Sequence, residues 1–307
     1  MKALVTGGAG FIGSHLVEEL ISKGAAVHVI DNLSSGYLDY VHPQAILHNA
    51  DICSEEAKKL ILNEKPDFVF HLAAQADVGR SIQFPRHDAG VNINGTINII
   101  EACRESSVKK VIFASTSAVY GKLQKDLISE KDIAVPISYY GLSKLTAEAY
   151  IRLFSQLYEL PYTILRYGNV YGPRQTAKGE GGVVAVFLER LKKGVPLSIH
   201  GDGEQTRDFI FVEDIVQANL AAIVRGNNET IQVSTAKSTS INQLVKILSQ
   251  IHGITLDTIH TSERTGDIKH SCLDNKKAAE FLHWSPKVDI FQGIMETYTS
   301  VFKSGAV

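Results

Sequence analysis

The stretch Thr6-Gly7-Gly8-Ala9-Gly10-Phe11-Ile12-Gly13 decides the fold of this chain. It joins an apolar run at residues 3–6 to a helical pattern at residues 11–23, and it spaces Gly7, Gly10 and Gly13 as GxxGxxG. Glycine permits a tight turn and lets the backbone approach a pyrophosphate closely, while the first turn of a helix offers aligned N–H donors. Tight packing of a turn would by itself also explain three glycines. The context adds a strand before, a helix after, and an acid, Asp31, 18 residues beyond Gly13 at the end of the next apolar run. A carboxylate there can accept both ribose hydroxyls of an adenosine and would repel a 2′-phosphate. No Arg or Lys stands between Asn32 and Gly36. The stretch therefore reads as a site for NAD rather than NADP, with a turn-capping aspartate as the bland alternative.

Outward from this turn, apolar runs at residues 26–30, 68–72, 110–114 and 164–167 read as buried parallel strands. Helical patterns at 55–62, 89–105 and 140–158 alternate with them. Such alternation predicts an α/β fold, a Rossmann-type doubly wound parallel sheet, over residues 1–167. Asp51-Ile52 is expected to close the third strand, where an adenine could rest. After residue 167 the pattern turns irregular. A glycine-rich polar segment at 168–182 is followed by a helix (183–193), a strand (197–200) and a strand-to-helix unit (209–223), then helices near 241–251 and 275–282. Residues 168–206 and 227–307 are expected to form a smaller α/β substrate domain, with 207–226 returning to the first.

With 44% hydrophobic and 21% charged residues over 307 positions, the chain can bury a substantial core. A net charge of −2 creates no field that would draw it to nucleic acid. No apolar run approaches the ~18 residues that span a bilayer. Cys53, Cys103 and Cys272 are odd in number and form no CxxC, so neither a disulfide framework nor a cysteine metal site is expected. The start, Met1-Lys2, runs straight into a strand and leaves no room for a signal peptide. The expectation is a cytoplasmic protein without nucleic-acid, membrane or metal partners.

In SYYGLSK, Tyr140 and Lys144 stand four apart, downstream of the cluster Ser115-Thr116-Ser117. On a helix i and i+4 share a face, so the ammonium can lie beside the phenol. A nearby cation favours phenolate and lowers a tyrosine pKa, as a general base requires. Alone, the pair could equally be a surface contact.

TGGAGFIG, DNLSSG, HLAAQADVGRS, FASTSAVYG, YYGLSK, LRYGNVYGPR and TRDFIFVEDI together resemble the extended short-chain dehydrogenase/reductase superfamily, and within it the nucleotide-sugar 4-epimerases typified by UDP-glucose (UDP-galactose) 4-epimerase. The resemblance runs from about residue 3 to residue 284. It implies an isomerase in which Tyr140 takes the proton of the sugar 4-hydroxyl while hydride leaves C4 for the nicotinamide. Lys144 would hold the nicotinamide ribose and tune the phenol. Thr116 would hydrogen-bond the same sugar oxygen, with Ser115 and Ser117 structural. The 4-keto sugar would turn over and take the hydride back on its other face, regenerating a tightly bound NAD. The coenzyme would lie along Gly7, Gly10, Phe11, Ile12, Gly13, Asp31, Asn32, Asp51, Ile52, Leu72, Ala73, Ala74, Tyr140 and Lys144.

Related dehydratases carry an Asp-Glu pair after the threonine, and the decarboxylases a glutamate at the second place. Here the residues are Ser117-Ala118, which leaves plain epimerisation. On the substrate side the resemblance implies Arg207 and Arg264 for the diphosphate, Asp267 for the uridine ribose, Asn169 for the diphosphate-sugar portion and Asn92 as a further contact. Ser198 and His200 would flank the uracil, with a solvated strand histidine as the alternative. Ser271 stands where a bulky tyrosine can sit beside the sugar 2-substituent, so an N-acetyl group is expected to fit. UDP-glucuronate would need a cation, with Arg80 and Arg174 as candidates. A net sugar-nucleotide oxidoreductase would share the Tyr-Lys site but exchange its coenzyme, and a non-catalytic binding protein would have no need of the pair. A homodimer is expected through helices 89–105 and 140–158, using Val91, Ile93, Ile97, Ile100, Leu145, Ala149 and Leu153, although those positions could equally face the sheet.

Overall fold

A strand covered by helices on both faces must be apolar along its length rather than on alternate residues. The computed structural model describes residues 1–122, 125–177, 182–262 and 268–303. Its first half runs β1 (Lys2–Thr6), α1 (Phe11–Ser22), β2 (Ala26–Ile30), β3 (Ile46–His48), α2 (Glu55–Glu64), β4 (Phe68–His71), α3 (Val78–Gln83), α4 (Pro85–Ala89), α5 (Gly95–Glu105), β5 (Lys110–Thr116), α6 (Tyr139–Tyr158) and β6 (Tyr162–Tyr167). The second half continues with β7 (Asn169–Tyr171), α7 (Val183–Lys192), β8 (Leu197–His200), β9 (Thr206–Arg207), β10 (Phe209–Phe211), α8 (Val212–Val224), β11 (Glu229–Val233), β12 (Thr239–Ser240), α9 (Ile241–His252), β13 (Thr258–Thr261), α10 (Lys276–Leu282) and α11 (Ile290–Lys303).

Seven strands form one sheet in the order β11-β6-β5-β4-β1-β2-β3, every pairing parallel. On one face Leu16, Val17 and Leu20 of α1 pack with Ile215 and Ala222 of α8 and with Leu282 of α10. On the other, Ile61 of α2, Ile99 of α5 and Ala147 and Ile151 of α6 close a second core. This is the expected doubly wound sheet. Its strand order reverses between β1 and β4, where the turns at their C-terminal ends part and leave a crevice.

The smaller unit is built on the parallel pair β8–β13 and on Val184, Phe187, Leu244, Leu248 and Ile294, contributed by α7, α9 and α11. Asp208 stitches it to the sheet. Its carboxylate accepts from Thr235 N, Thr235 Oγ1, Ala236 N and Leu273 N, at 2.7–3.2 Å. Asp214 likewise accepts from Lys287 N and Val288 N.

Three expectations need correction. The segment that returns to the sheet does not end at residue 226. β11 pairs with β6, and Ala278, Leu282 and Trp284 join the sheet's core, so part of 227–307 belongs to the first unit. The third strand is Ile46–His48, and Asp51 and Ile52 follow it in a turn. The helix expected at 89–105 is interrupted by a π-helical turn at Gly90–Asn94. No described helix is long and apolar enough to cross a membrane, and the three cysteines are unpaired.

Candidate active site

The glycine turn opens the crevice. Gly7 adopts φ +73°, and a Cβ there would stand 2.7 Å from Ala73 N, so only glycine lets the ends of β1 and β4 approach so closely. Gly10 precedes the first turn of α1 without any side-chain cap, leaving the helix N-terminus open. A cavity of about 520 Å³ extends from this turn. Its lining includes Gly7, Gly10, Phe11, Ile12, Gly13, Asp31, Asn32, Asp51, Ile52, Leu72, Ala73, Ala74, Tyr140 and Lys144, so it gathers all the residues read from the sequence as coenzyme contacts.

Asp31 is 9% exposed; its Oδ2 accepts from Ala9 N (3.0 Å) and its Oδ1 from Leu33 N (2.8 Å). Burial pushes its pKa up, and the two backbone donors pull against that rise. Each oxygen keeps a lone pair for a ribose hydroxyl. Next to it Asn32 Nδ2 donates to Asp51 Oδ2 (2.8 Å). Burial works to raise the Asp51 pKa, but Cys53 N–H and the Asn32 amide outweigh it and hold the pKa low. An open helix N-terminus, an acid with spare acceptors and a cleft of this volume fit a dinucleotide.

The residues read from the sequence as proton-handling come from α6 and the end of β5. Ser138 caps α6, its Oγ accepting from Gly141 N (3.1 Å). Gly141 then passes so close to the turn at Ser117–Tyr120 that a Cβ would lie 2.5 Å from Ala118 O. That contact sets Tyr140 beside the turn begun by Thr116, whose Oγ1 accepts from Ala118 N (3.1 Å) and keeps its proton to donate. Lys144 is 3% exposed, with Nζ 4.4 Å from the Phe113 ring centroid, a cation–π placement. Further along the same face of α6, the buried Glu148 accepts a fork from Arg166 Nε (2.9 Å) and Nη2 (2.6 Å), and Ser115 Oγ donates to it (2.5 Å). Burial would raise the Glu148 pKa; Arg166 and Ser115 hold it below the ordinary value. Ser115 is thus structural, as expected, although it also borders the cavity.

Asn92 is corrected. It is 2% exposed, and its amide is spent inside the protein: Oδ1 accepts from Gln75 N (2.9 Å), and Nδ2 donates to Gln75 O (2.9 Å), Ser143 Oγ (3.0 Å) and Asp88 Oδ1 (3.2 Å). It braces the loop after β4 against α6 rather than meeting a substrate.

Of the other substrate candidates, Arg80 and Arg174 border the cavity, whereas Asn169, Ser198, His200, Arg207 and Ser271 lie in the smaller unit and do not line it. Arg207 and Ser271 come together, since Ser271 N donates to Thr206 O (3.3 Å), and Asn169 joins them because its N–H donates to Asp208 O (2.7 Å). Ser271 is 8% exposed. Ser198 and His200 share one face of β8, where His200 Nδ1 meets Thr261 Oγ1 (2.8 Å), and Gln205 Nε2 donates to His200 O beside β9. Arg264 and Asp267 lie outside the described residues. Among lining residues missed in the sequence are Tyr37 and Tyr40, and Arg174, read there only as a cation for a sugar carboxylate, stands beside them. The DNLSSG and GPR motifs pointed near them but gave no spacing to relate them. Arg174 is committed to Ser14 and Glu18, which removes it as a free cation for a sugar carboxylate.

Comparison with known proteins agrees with this geometry. Residues 3–234 match the NAD dependent epimerase/dehydratase family. The chain is 42% identical over 292 residues to a putative UDP-glucose 4-epimerase of Methanocaldococcus jannaschii, covering 95% of each. Among solved structures, it is similar to a UDP-glucose 4-epimerase of Thermotoga maritima with UDP-glucose (44% identity, TM-score 0.97, 99% of each chain). It is also similar to a Thermus thermophilus UDP-glucose 4-epimerase complexed with NAD (36%, TM-score 0.94, 100% of each).

Proposed function

The chain belongs to the NAD dependent epimerase/dehydratase family, and on that premise we propose that it is an NAD-dependent 4-epimerase of a UDP-hexose, with UDP-glucose and UDP-galactose as the leading pair. The observation that carries the reading is the convergence of Tyr140 and Lys144 with the glycine turn and Asp31 on one cavity, with the Thr116 turn packed against α6. Sheet and glycine turn are assigned to the coenzyme, and the smaller unit with Asn169, Arg207 and Ser271 to the nucleotide sugar.

Bound NAD supplies a reversible two-electron acceptor for the sugar C4. The chain supplies the rest. Tyr140 Oη accepts the 4-hydroxyl proton and returns it after the 4-keto sugar has turned its other face. The Lys144 ammonium favours the phenolate form. The Thr116 hydroxyl, already accepting from Ala118 N, donates to the same oxygen as alcohol or ketone. Arg207 is assigned to the diphosphate, for which a guanidinium fork is suited. Ser271 leaves volume for an N-acetyl group, so UDP-GlcNAc and UDP-GalNAc are included as substrates. UDP-glucuronate ranks lower because Arg174 is tied to Glu18, which leaves Arg80 on the cavity lining as the cation it would need.

A homodimer through α5 and α6 is part of the proposal. Its support is an apolar stripe on α6 formed by Leu142 (48% exposed), Leu153 (49%) and Leu157 (60%). Ile100 drops out of the expected interface, because it is fully buried in the sheet's core. The unpaired cysteines support a reducing, cytoplasmic setting.

The test is to incubate purified protein, with no coenzyme added, with UDP-glucose, UDP-GlcNAc and UDP-glucuronate, and to separate the products by chromatography. Formation of the 4-epimer of UDP-glucose is expected. A strict requirement for added NAD or NADH in stoichiometric amount would point instead to a net oxidoreductase.

A further inference from the structure

We infer that Arg174 ties the dinucleotide cleft shut and so sets how long the coenzyme stays bound. The inference rests on the NAD-dependent reading above and concerns a residue outside the catalytic set. Three segments distant in sequence border the cavity: the start of α1 through Gly10 and Gly13, the turn that carries Tyr37 and Tyr40, and the loop that carries Arg174. The Arg174 side chain touches the other two. Its Nη1 donates to Ser14 Oγ (3.1 Å), its Nη2 donates to Glu18 Oε1 (2.5 Å), and its guanidinium carbon stands 5.7 Å from the Tyr40 ring centroid.

The neighbouring bonds make this a seam rather than a single contact. Ser14 Oγ spends its own proton on Phe11 O (3.1 Å), so it is held ready to accept from the guanidinium. One residue earlier, Pro173 O accepts from His15 Nε2 (3.0 Å). Burial lowers the His15 pKa, and the neutral ring still has an N–H to give there. Arg174 also holds a left-handed backbone conformation, φ +68°, three residues beyond the end of β7. A lone exposed ion pair contributes little. Here the carboxylate, a hydroxyl, a ring face and an adjoining backbone bond act on one short loop, so opening it breaks them together.

A dinucleotide lying along the glycine turn would have to part this loop from α1 or from the Tyr40 turn to leave. An isomerase that regenerates its coenzyme each turnover loses nothing by slow release, whereas in a net oxidoreductase the same seam would throttle turnover. The tie therefore suits the first chemistry and opposes the second.

The test compares wild type, Arg174→Ala and Glu18→Gln. NAD bound per chain is quantified after gel filtration and acid release, its dissociation rate is followed by chase with excess unlabelled NAD, and folding is checked by circular dichroism. Wild type should carry NAD through gel filtration, and both variants should release it roughly tenfold faster or more, the change expected for loss of about one such cluster of contacts. Glu18→Gln is decisive, because it removes the carboxylate charge from the tie while leaving the Arg174 charge beside the cleft. If Arg174→Ala speeds release and Glu18→Gln does not, the arginine acts by its charge alone and the tie is wrong. Retention equal to wild type in both variants also overturns it. A wild type that neither carries nor binds NAD defeats the underlying functional reading instead, and the two failures are told apart by that measurement.

Discussion

The imidazole of His71 has both nitrogens committed, and the order of its bonds fixes the tautomer. Thr96 Oγ1 donates to Asn92 O (2.7 Å), so it must accept from His71 Nε2 (3.0 Å). Nδ1 is then the acceptor for Thr6 Oγ1 (2.7 Å), which in turn accepts from Ala73 N (3.2 Å). A neutral ring thus links the ends of β1 and β4 to the turn that holds Asn92. Burial, and then the Lys144 ammonium, lower its pKa to about 3. The unfolded ring would take a proton near its ordinary pKa of about 6.5. Its stabilising contribution is therefore whole above that pH and drains away as the pH falls toward 3, by about 1.4 kcal/mol per pH unit. Urea midpoints at about pH 7.5 and about pH 5.5 should reveal that loss, and the His71 ring resonance should stay flat over the same range. A titration midpoint near the free-histidine value would contradict this. At the same scale, Tyr140→Phe should lower kcat by about a thousandfold while the nucleotide still binds and the fold persists. Retention of more than a few per cent of activity would reject Tyr140 as the base.

Helix α6 carries two different faces, and each makes a prediction. Its inner face holds Tyr140, Lys144 and Glu148 at i, i+4 and i+8, so the Glu148–Arg166 fork anchors the same stripe that presents the proposed catalytic pair. Arg166 Nη1 also donates to Tyr120 OH (2.7 Å), in the turn begun by Thr116. Glu148→Gln leaves Arg166 without its charged partner in the interior, and the expected cost is about 3–5 kcal/mol. Chemical denaturation measures it, and a loss below about 1 kcal/mol would show that the pair is not the anchor of α6. The outer face carries the apolar stripe of Leu142, Leu153 and Leu157. Leu153→Arg should turn a dimer into a monomer by light scattering, since an unpaired charge in the centre of such a contact is costly. A wild type that is already monomeric at micromolar concentration removes the proposal.

At the scale of the whole molecule, function depends on how the smaller unit is held over the sheet. Asp208 is the main rivet, binding the backbone at residues 235, 236 and 273 next to Arg207 and Ser271. Because those bonds fix the backbone beside Ser271, side-chain volume there should translate into sugar choice. Ser271→Tyr is expected to lower the ratio of N-acetylhexose to plain hexose turnover by about tenfold or more, in line with steric discrimination in a pocket. Chromatographic assays of both sugar pairs measure it. An unchanged ratio would place the gate elsewhere.

The sequence by itself determined the doubly wound sheet, the glycine turn, Asp31 and the Tyr140–Lys144 pair. Each of these is written locally: as a run apolar along its length, as glycines at fixed offsets, or as two side chains one helical turn apart. The tertiary structure alone decided that β11 returns beside β6, that Asn92 faces inward to brace Gln75, and that Arg174 reaches Ser14 and Glu18. These relations join residues 17 to 160 positions apart. Contacts of that kind arise only when sheet order and helix packing bring distant segments together, and no short-range period or spacing encodes them.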